Sequence, residues 1–159
     1  MIKGGINMNN INVGFATYED LHSWIELVEK VRWNFPGLES NELLQSYQDT
    51  VIKNINRNSA ICAKYDGEVV GILLFSFKHN MLSCMSVHPD YRNRSIATKM
   101  IELMLSQLSN DCDIIVTTFR DDDEKGYAPR SLYRKLGFVE DELCIEFNYP
   151  LQKFILHRN

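Results

Sequence analysis

The sequence predicts an α/β (α+β) fold: a mixed, mainly antiparallel sheet of about seven strands flanked by four helices. Three observations predict it. Short apolar runs parted by turn residues between 60 and 87 read as an antiparallel meander. A strand, an amphipathic helix and a second strand follow between 81 and 119, which implies a parallel crossover. Two further helical patterns precede the meander, and two strand runs close the chain.

In chain order, INVGFAT at 11 to 17 reads as a strand and Tyr18-Glu19-Asp20 as a helix start. Leu21, Trp24, Ile25, Val28 and Val31 then recur at helical spacing. WNFPG at 33 to 37 breaks that helix, Ser40 can cap the next, and Leu44, Tyr47, Val51 and Ile55 form its apolar stripe. The meander consists of AICAKY at 60 to 65, VVGILLFSF at 69 to 77 and MLSCMSV at 81 to 87, joined at Asp66-Gly67 and Lys78-His79-Asn80. Ala97, Met100, Ile101, Met104, Leu105 and Leu108 mark a helix, and DIIVTTF at 113 to 119 the next strand. A short helix is expected from about Pro129 to Leu136, with Gly137 as its cap. FVEDELCIEFNY and QKFILHR complete the chain as a hairpin turning around Asn148-Tyr149-Pro150.

Size and charge bound the function. A chain of 159 residues fits one domain; residues 1–10, polar and Gly-rich, read as a flexible N-terminal tail and 11–159 as the single domain. With 45% apolar and 24% charged residues the composition is that of a globular protein. Seventeen Lys plus Arg against 21 Asp plus Glu, a net charge of -4, gives no electrostatic case for a nucleic-acid partner. No apolar run approaches the roughly 20 residues of a membrane span, so no membrane partner is expected. Cys62, Cys84, Cys112 and Cys144 are too scattered for a metal or redox site, so no metal is expected; free thiols suit a reducing, cytoplasmic setting.

Two segments carry chemistry. Val87-His88-Pro89-Asp90-Tyr91-Arg92-Asn93-Arg94-Ser95-Ile96-Ala97 sets a strand end, a tight turn and a helix start in succession. A helix N-terminus there presents unpaired amides and a positive dipole to a phosphate. Downstream stands Ala128-Pro129-Arg130-Ser131-Leu132-Tyr133-Arg134-Lys135-Leu136-Gly137-Phe138.

The first segment resembles the signature V-x-P-x-Y-R-G-x-G-I-G/A of the GNAT superfamily of N-acetyltransferases, matching at Val87, Pro89, Tyr91, Arg92, Ile96 and Ala97. Asn93 and Ser95 stand where that family usually has glycine, a departure that Asn's tolerance of positive φ and Ser's small donor hydroxyl can accommodate. The second segment is similar to the family's later helix A-x-x-L-Y-x-K-L-G-F, with Pro129 in place of the usual Ala. The resemblance spans about Val69 to Phe138 and implies acetyl-CoA as cosubstrate, with the diphosphate at Arg92, Asn93, Arg94, Ser95, Ile96 and Ala97. It implies a splay between the fourth and fifth strands, the Val87 amide bonding the acetyl carbonyl, Met85 pairing with the pantetheine arm, and Tyr133 as general acid beside the cofactor.

The resemblance also implies direct transfer to a primary amine, with a small amine or peptide as acceptor. The chain itself would be a monomer or homodimer. A non-catalytic acyl-CoA-binding or sensing protein is the alternative. Met81 stands where some relatives carry a strand-four Glu, so the general base is open: a water, a carboxylate after the fifth strand, or a residue of the first two helices. Asp121-Asp122-Asp123-Glu124 would rim the acceptor side or simply be solvated. Trp33 and Phe35 would line the acceptor pocket or belong to the core. Cys84 has no evident activating His and reads as a structural thiol.

Overall fold

The computed structural model describes residues 7–32 and 38–158. The strands are β1 (Ile11–Phe15), β2 (Ala60–Tyr65), β3 (Glu68–Ser76), β4 (Met81–Val87), β5 (Ile114–Phe119), β6 (Val139–Glu146) and β7 (Tyr149–Leu156). The helices are α1 (Leu21–Val31), α2 (Asn41–Asn56), α3 (Ile96–Gln107) and α4 (Tyr127–Lys135). They form one seven-stranded sheet in the order β1-β2-β3-β4-β5-β7-β6, antiparallel except at β4 and β5.

The alternation of side chains along β2 and β3 divides the core in two. Ala60, Cys62, Ile72 and Leu74 face Trp24, Val28 and Val31 of α1 and Val51 and Ile55 of α2. Ile61, Ala63, Leu73 and Phe75 face Ile96, Met100, Ile101 and Met104 of α3 on the opposite side, where Tyr133, Phe138 and Phe154 extend the same cluster. The stripe predicted for α1 is thus its buried face. Ser40 caps α2, its Oγ accepting from the Leu43 amide at 3.1 Å.

Of the expected tail, residues 1–6 lie outside the described part, and in the rest Asn7 accepts at its carbonyl from Asn10 (2.9 Å) and at Oδ1 from Asn9 (3.0 Å), with Met8–Asn10 in a 3-10 turn. Two local expectations are corrected. Helix α4 begins at Tyr127, two residues before Pro129, because a proline is tolerated throughout a first turn whose amides lack intrahelical acceptors. The last hairpin turns at Phe147-Asn148, both left-handed (φ 55° and 59°), so Tyr149 and Pro150 already belong to β7. Two such residues match the twist of the strands they join, which a turn centred on Pro150 could not.

Helix α4 stops at Gly137 as expected. Gly137 takes φ +96°, its amide donates to the Arg134 carbonyl (3.0 Å), and the Phe138 amide donates to the Tyr133 carbonyl (2.9 Å). This paired closure satisfies the orphan carbonyls and turns Phe138 into the core.

Candidate active site

The site begins with an irregularity in β4. Leu74 pairs with Cys84 but Phe75 pairs with Leu82, leaving Ser83 as an extra residue. Such a bulge bends a strand and increases its twist. Below it β4 pairs with β5 at only two positions, Met81 with Ile115 and Leu82 with Val116; above it the strands part. All six residues of β5 pair instead with β7, and the Arg120 side chain ties the end of β5 to the Leu151 and Cys144 carbonyls at 3.1 and 3.0 Å. The sheet therefore opens into a fork between β4 and β5.

The phase of the β3–β4 ladder decides what lines the fork. The His88 amide donates to the Val70 carbonyl at 2.8 Å, and Val87 lies opposite Gly71. Antiparallel pairs alternate, so Ser86 bonds β3 while Met85 and Val87 turn their amides and carbonyls the other way, into the gap left by β5. The two residues singled out on this strand are thus brought to the open edge.

At the end of β4 the chain makes a 3-10 turn over Pro89–Tyr91, its first amides satisfied when Asp90 donates to His88 Nδ1 at 3.0 Å. Burial, then Lys30, lowers the His88 pKa, so its ring is neutral at pH 7. Tyr91 is buried against Tyr65, ring centroids 5.5 Å apart. Asn93 and Ser95 both adopt left-handed backbone, φ 62° in each case, the conformation a glycine would take without strain. Ser95 is the N-cap of α3 yet makes no side-chain cap bond, so the first-turn amides of Ile96 and Ala97 are left without an intrahelical partner. Gly71 lets this helix end approach the sheet: a Cβ there would stand 3.0 Å from Ile96 Cγ2.

Arg92 is exposed, and Arg94 has a buried Nε with no hydrogen-bond partner. An orphaned cationic donor beside an uncapped helix N-terminus fits a diphosphate.

Tyr133, on the inward face of α4, is buried between Phe138 and Phe154, centroids 5.6 and 6.0 Å away. Burial, and then Cys84, raises its phenol well above the usual value, so it stays protonated. Cys84 Sγ itself lies 3.4 Å from the Tyr47 hydroxyl, which accepts from Trp24 Nε1 at 3.1 Å. Burial pushes that thiol up to about 11, the opposite of what a nucleophilic thiolate needs.

The acidic run divides. Asp123 is held by the Tyr149 hydroxyl (2.7 Å) and the Lys125 amide (3.0 Å), whereas Asp121, Asp122 and Glu124 are exposed. Trp33 and Phe35 lie outside the described residues.

Sequence reading missed Arg130, a buried arginine whose Nη1 donates to the Phe119 carbonyl (3.1 Å) and Gln152 Oε1 (2.8 Å). Its Nη2 stands 3.2 Å from Glu140 Oε2, an ion pair without hydrogen-bond alignment. Arg130 thereby sets α4, and with it Tyr133, against β5, β6 and β7. The only signal was an arginine at an inward position of the α4 pattern.

Residues 56–140, just over half the chain, match the family model described as Acetyltransferase (GNAT) domain. The fold is similar to that of a GNAT-family acetyltransferase from Bacillus cereus ATCC 10987 (20% identity, 94% of this chain and 98% of that one, TM-score 0.72). It is also similar to an N-acetyltransferase from Staphylococcus aureus Mu50 (16%, 91% and 100%, 0.70). A third similar structure is the Thermoplasma acidophilum paia N-acetyltransferase in complex with coenzyme A (18%, 90% and 97%, 0.63). A comparison with curated proteins finds no match.

Proposed function

Because the chain belongs to the GNAT acetyltransferases, acyltransferases that use acetyl-CoA, we propose that it moves the acetyl group directly to a primary amine of a small amine or peptide. The observation that carries this reading is the fork: two strand amides turned into a gap, with a phosphate-fitting loop at its upper end. Residues 11–159 act as one domain in this reading, and four free thiols suit a cytoplasmic enzyme.

Acetyl-CoA supplies, when bound, an acyl group on a thiol leaving group. Arg92 and Arg94 with the Asn93 to Ala97 backbone and the Ser95 hydroxyl hold its diphosphate. Val87 lies nearer that loop than Met85 does, so a ligand arm leading down the gap meets Val87 first. We therefore assign the arm to Val87 and the carbonyl oxygen to the Met85 amide, the reverse of the order expected from resemblance. A preset amide facing developing negative charge needs no reorganisation as reaction proceeds. Tyr133, kept protonated by its burial, donates its phenolic hydrogen to the departing sulfur. The high pKa of Cys84 supports transfer without an acyl-cysteine step.

The test is thiol release from acetyl-CoA across a panel of amines and short peptides. Acceptor-dependent release with stoichiometric N-acetyl product supports the reading. Coenzyme A binding without release to any acceptor would replace it with the non-catalytic acyl-CoA-binding one.

A further inference from the structure

Of the nine large apolar side chains exposed among the described residues, four stand on β6 or in the turn after it: Val139, Leu143, Ile145 and Phe147. β6 closes one end of the sheet, so its outer edge has no neighbouring strand among the described residues. Strand edges are ordinarily guarded by charge and by bulges, because an unpaired row of amides and carbonyls recruits another strand. The first half of β6 is guarded in this way. Glu140, Asp141 and Glu142 crowd there, and the ladder to β7 slips between Glu140 and Leu143. The second half is not guarded: Leu143, Ile145 and Phe147 are 59%, 70% and 69% exposed.

The backbone of that second half is turned outward. Ile145 lies opposite Pro150, which has no amide to give, whereas the carbonyls of Cys144 and of Leu151 opposite it both accept from the Arg120 side chain. Pairs alternate along an antiparallel ladder, so Cys144 and Glu146 bond β7 while Leu143 and Ile145 turn their amides and carbonyls to the free edge. The side chains alternate as well. Leu143 stands opposite Gln152, which Arg130 of α4 holds at 2.8 Å, so Leu143 and Ile145 share the α4 face, while Glu146 accepts from Thr117 on the other.

We propose that this half of β6 pairs with the same strand of a second copy of the chain, antiparallel about a two-fold axis at Ile145, so that the two sheets become one. Charge selects this register. With Ile145 opposite its own counterpart, Leu143 meets Phe147, Cys144 meets Glu146, and Glu142 reaches only the neutral Asn148 in the other copy's turn. Moving the strands by two residues sets Glu146 opposite Glu142 in one direction and opposite Glu146 in the other, and like charges directly opposed are destabilising. Moving them by one sets Leu143 or Ile145 against Glu146 and brings outward-turned backbone against inward-turned. One register alone pairs apolar with apolar and leaves no acid facing an acid. Such a contact is isologous and closes on itself as a dimer. With about five residues a side, against roughly 20–30 in a standard interface, the dimer exchanges with monomer.

The test is sedimentation velocity on the full chain from about 2 to about 200 µM, a range that spans the affinities of weak dimers. The native protein is expected to pass from monomer to dimer as its concentration rises. Ile145→Glu and Ile145→Lys each set like charges together at the axis and are expected to stay monomeric throughout. Both fall at an exposed position, and thermal melts coincident with the native one establish that the fold is kept. An equimolar mixture of the two variants is expected to recover the dimer, because each Glu then faces a Lys across the axis. A native protein that remains monomeric at about 200 µM overturns the proposal, as does a dimer that persists in both variants. Monomeric variants whose mixture also stays monomeric overturn the pairing at Ile145.

Discussion

Cys84 Sγ and the Tyr47 hydroxyl stand 3.4 Å apart, closing a chain from Trp24 through Tyr47 to the strand that borders the fork. Trp24 Nε1 can only donate, so Tyr47 accepts from it, and one hydrogen remains between oxygen and sulfur. The contact joins the first two helices to β4 and gives the thiol a structural role.

Replacing Cys84 by Ala should therefore leave kcat within about twofold of the native value while lowering stability by about 1 kcal/mol, from the lost hydrogen bond and a small cavity. Steady-state kinetics and a thermal melt measure both. Loss of turnover with the fold intact would restore a covalent role for the thiol.

Tyr133→Phe should reduce kcat by about a hundredfold with little change in KM for acetyl-CoA. Because burial raises this phenol above its ordinary value near 10, no alkaline fall in kcat below about pH 9.5 should trace to Tyr133. Full turnover in the Phe variant would remove Tyr133 from the proton-donor role.

Ser95 holds φ 62° without a cap bond, a conformation that costs an ordinary residue about 1 kcal/mol. Ser95→Gly is expected to raise Tm by about 2–4 °C for a chain of this size. Asn93→Gly should do less, since Asn tolerates this region better. An unchanged or lower Tm in Ser95→Gly would show that the loop is unstrained.

Glu140 ties α4 to β6: the Arg134 hydrogen bond at 2.5 Å comes first, and the buried Arg130 second, in holding its carboxyl below the usual 4.5. A depressed carboxyl contributes stability above its unfolded pKa and loses it as pH falls through the folded one. Glu140→Gln should thus cost about 1 kcal/mol at pH 7, kept small because the side chain is 43% exposed. Urea melts should show the difference from native shrinking toward zero as pH falls below 4.5. A constant difference down to pH 3 would mean that the charge contributes nothing.

Where a single period of side chains was enough, sequence and structure agree. The stripes of α1 and α2 face the core, buried at Trp24, Val28, Val31, Val51 and Ile55 and half-buried at Leu21, Ile25, Leu44 and Tyr47; β2 to β4 follow the apolar runs, and Gly137 ends α4. Disagreement begins where local signals compete. Pro129 suggested a helix start and Pro150 a turn, but each position tolerates proline for a different reason: one in a first turn, the other in the strand that follows Phe147-Asn148. Asn93 and Ser95, which depart from the glycines of the resembling signature, nonetheless take the left-handed backbone those positions require.

The sequence by itself determined the element order, the apolar stripes of the helices and the strand-turn-helix at 87 to 97, because each depends on residues near in the chain. Tertiary structure alone decided the fork and what borders it. Ser83 becomes a bulge only against Leu74 and Phe75 of β3, and β5 leaves β4 because β7 grips it along its length. Arg130 finds Gln152 and Glu140, and Glu146 finds Thr117, only once a hairpin from the end of the chain curls back over the sheet. Partners 10 to 29 residues apart leave no periodic mark in a sequence; their pairing is set by where the strands pack.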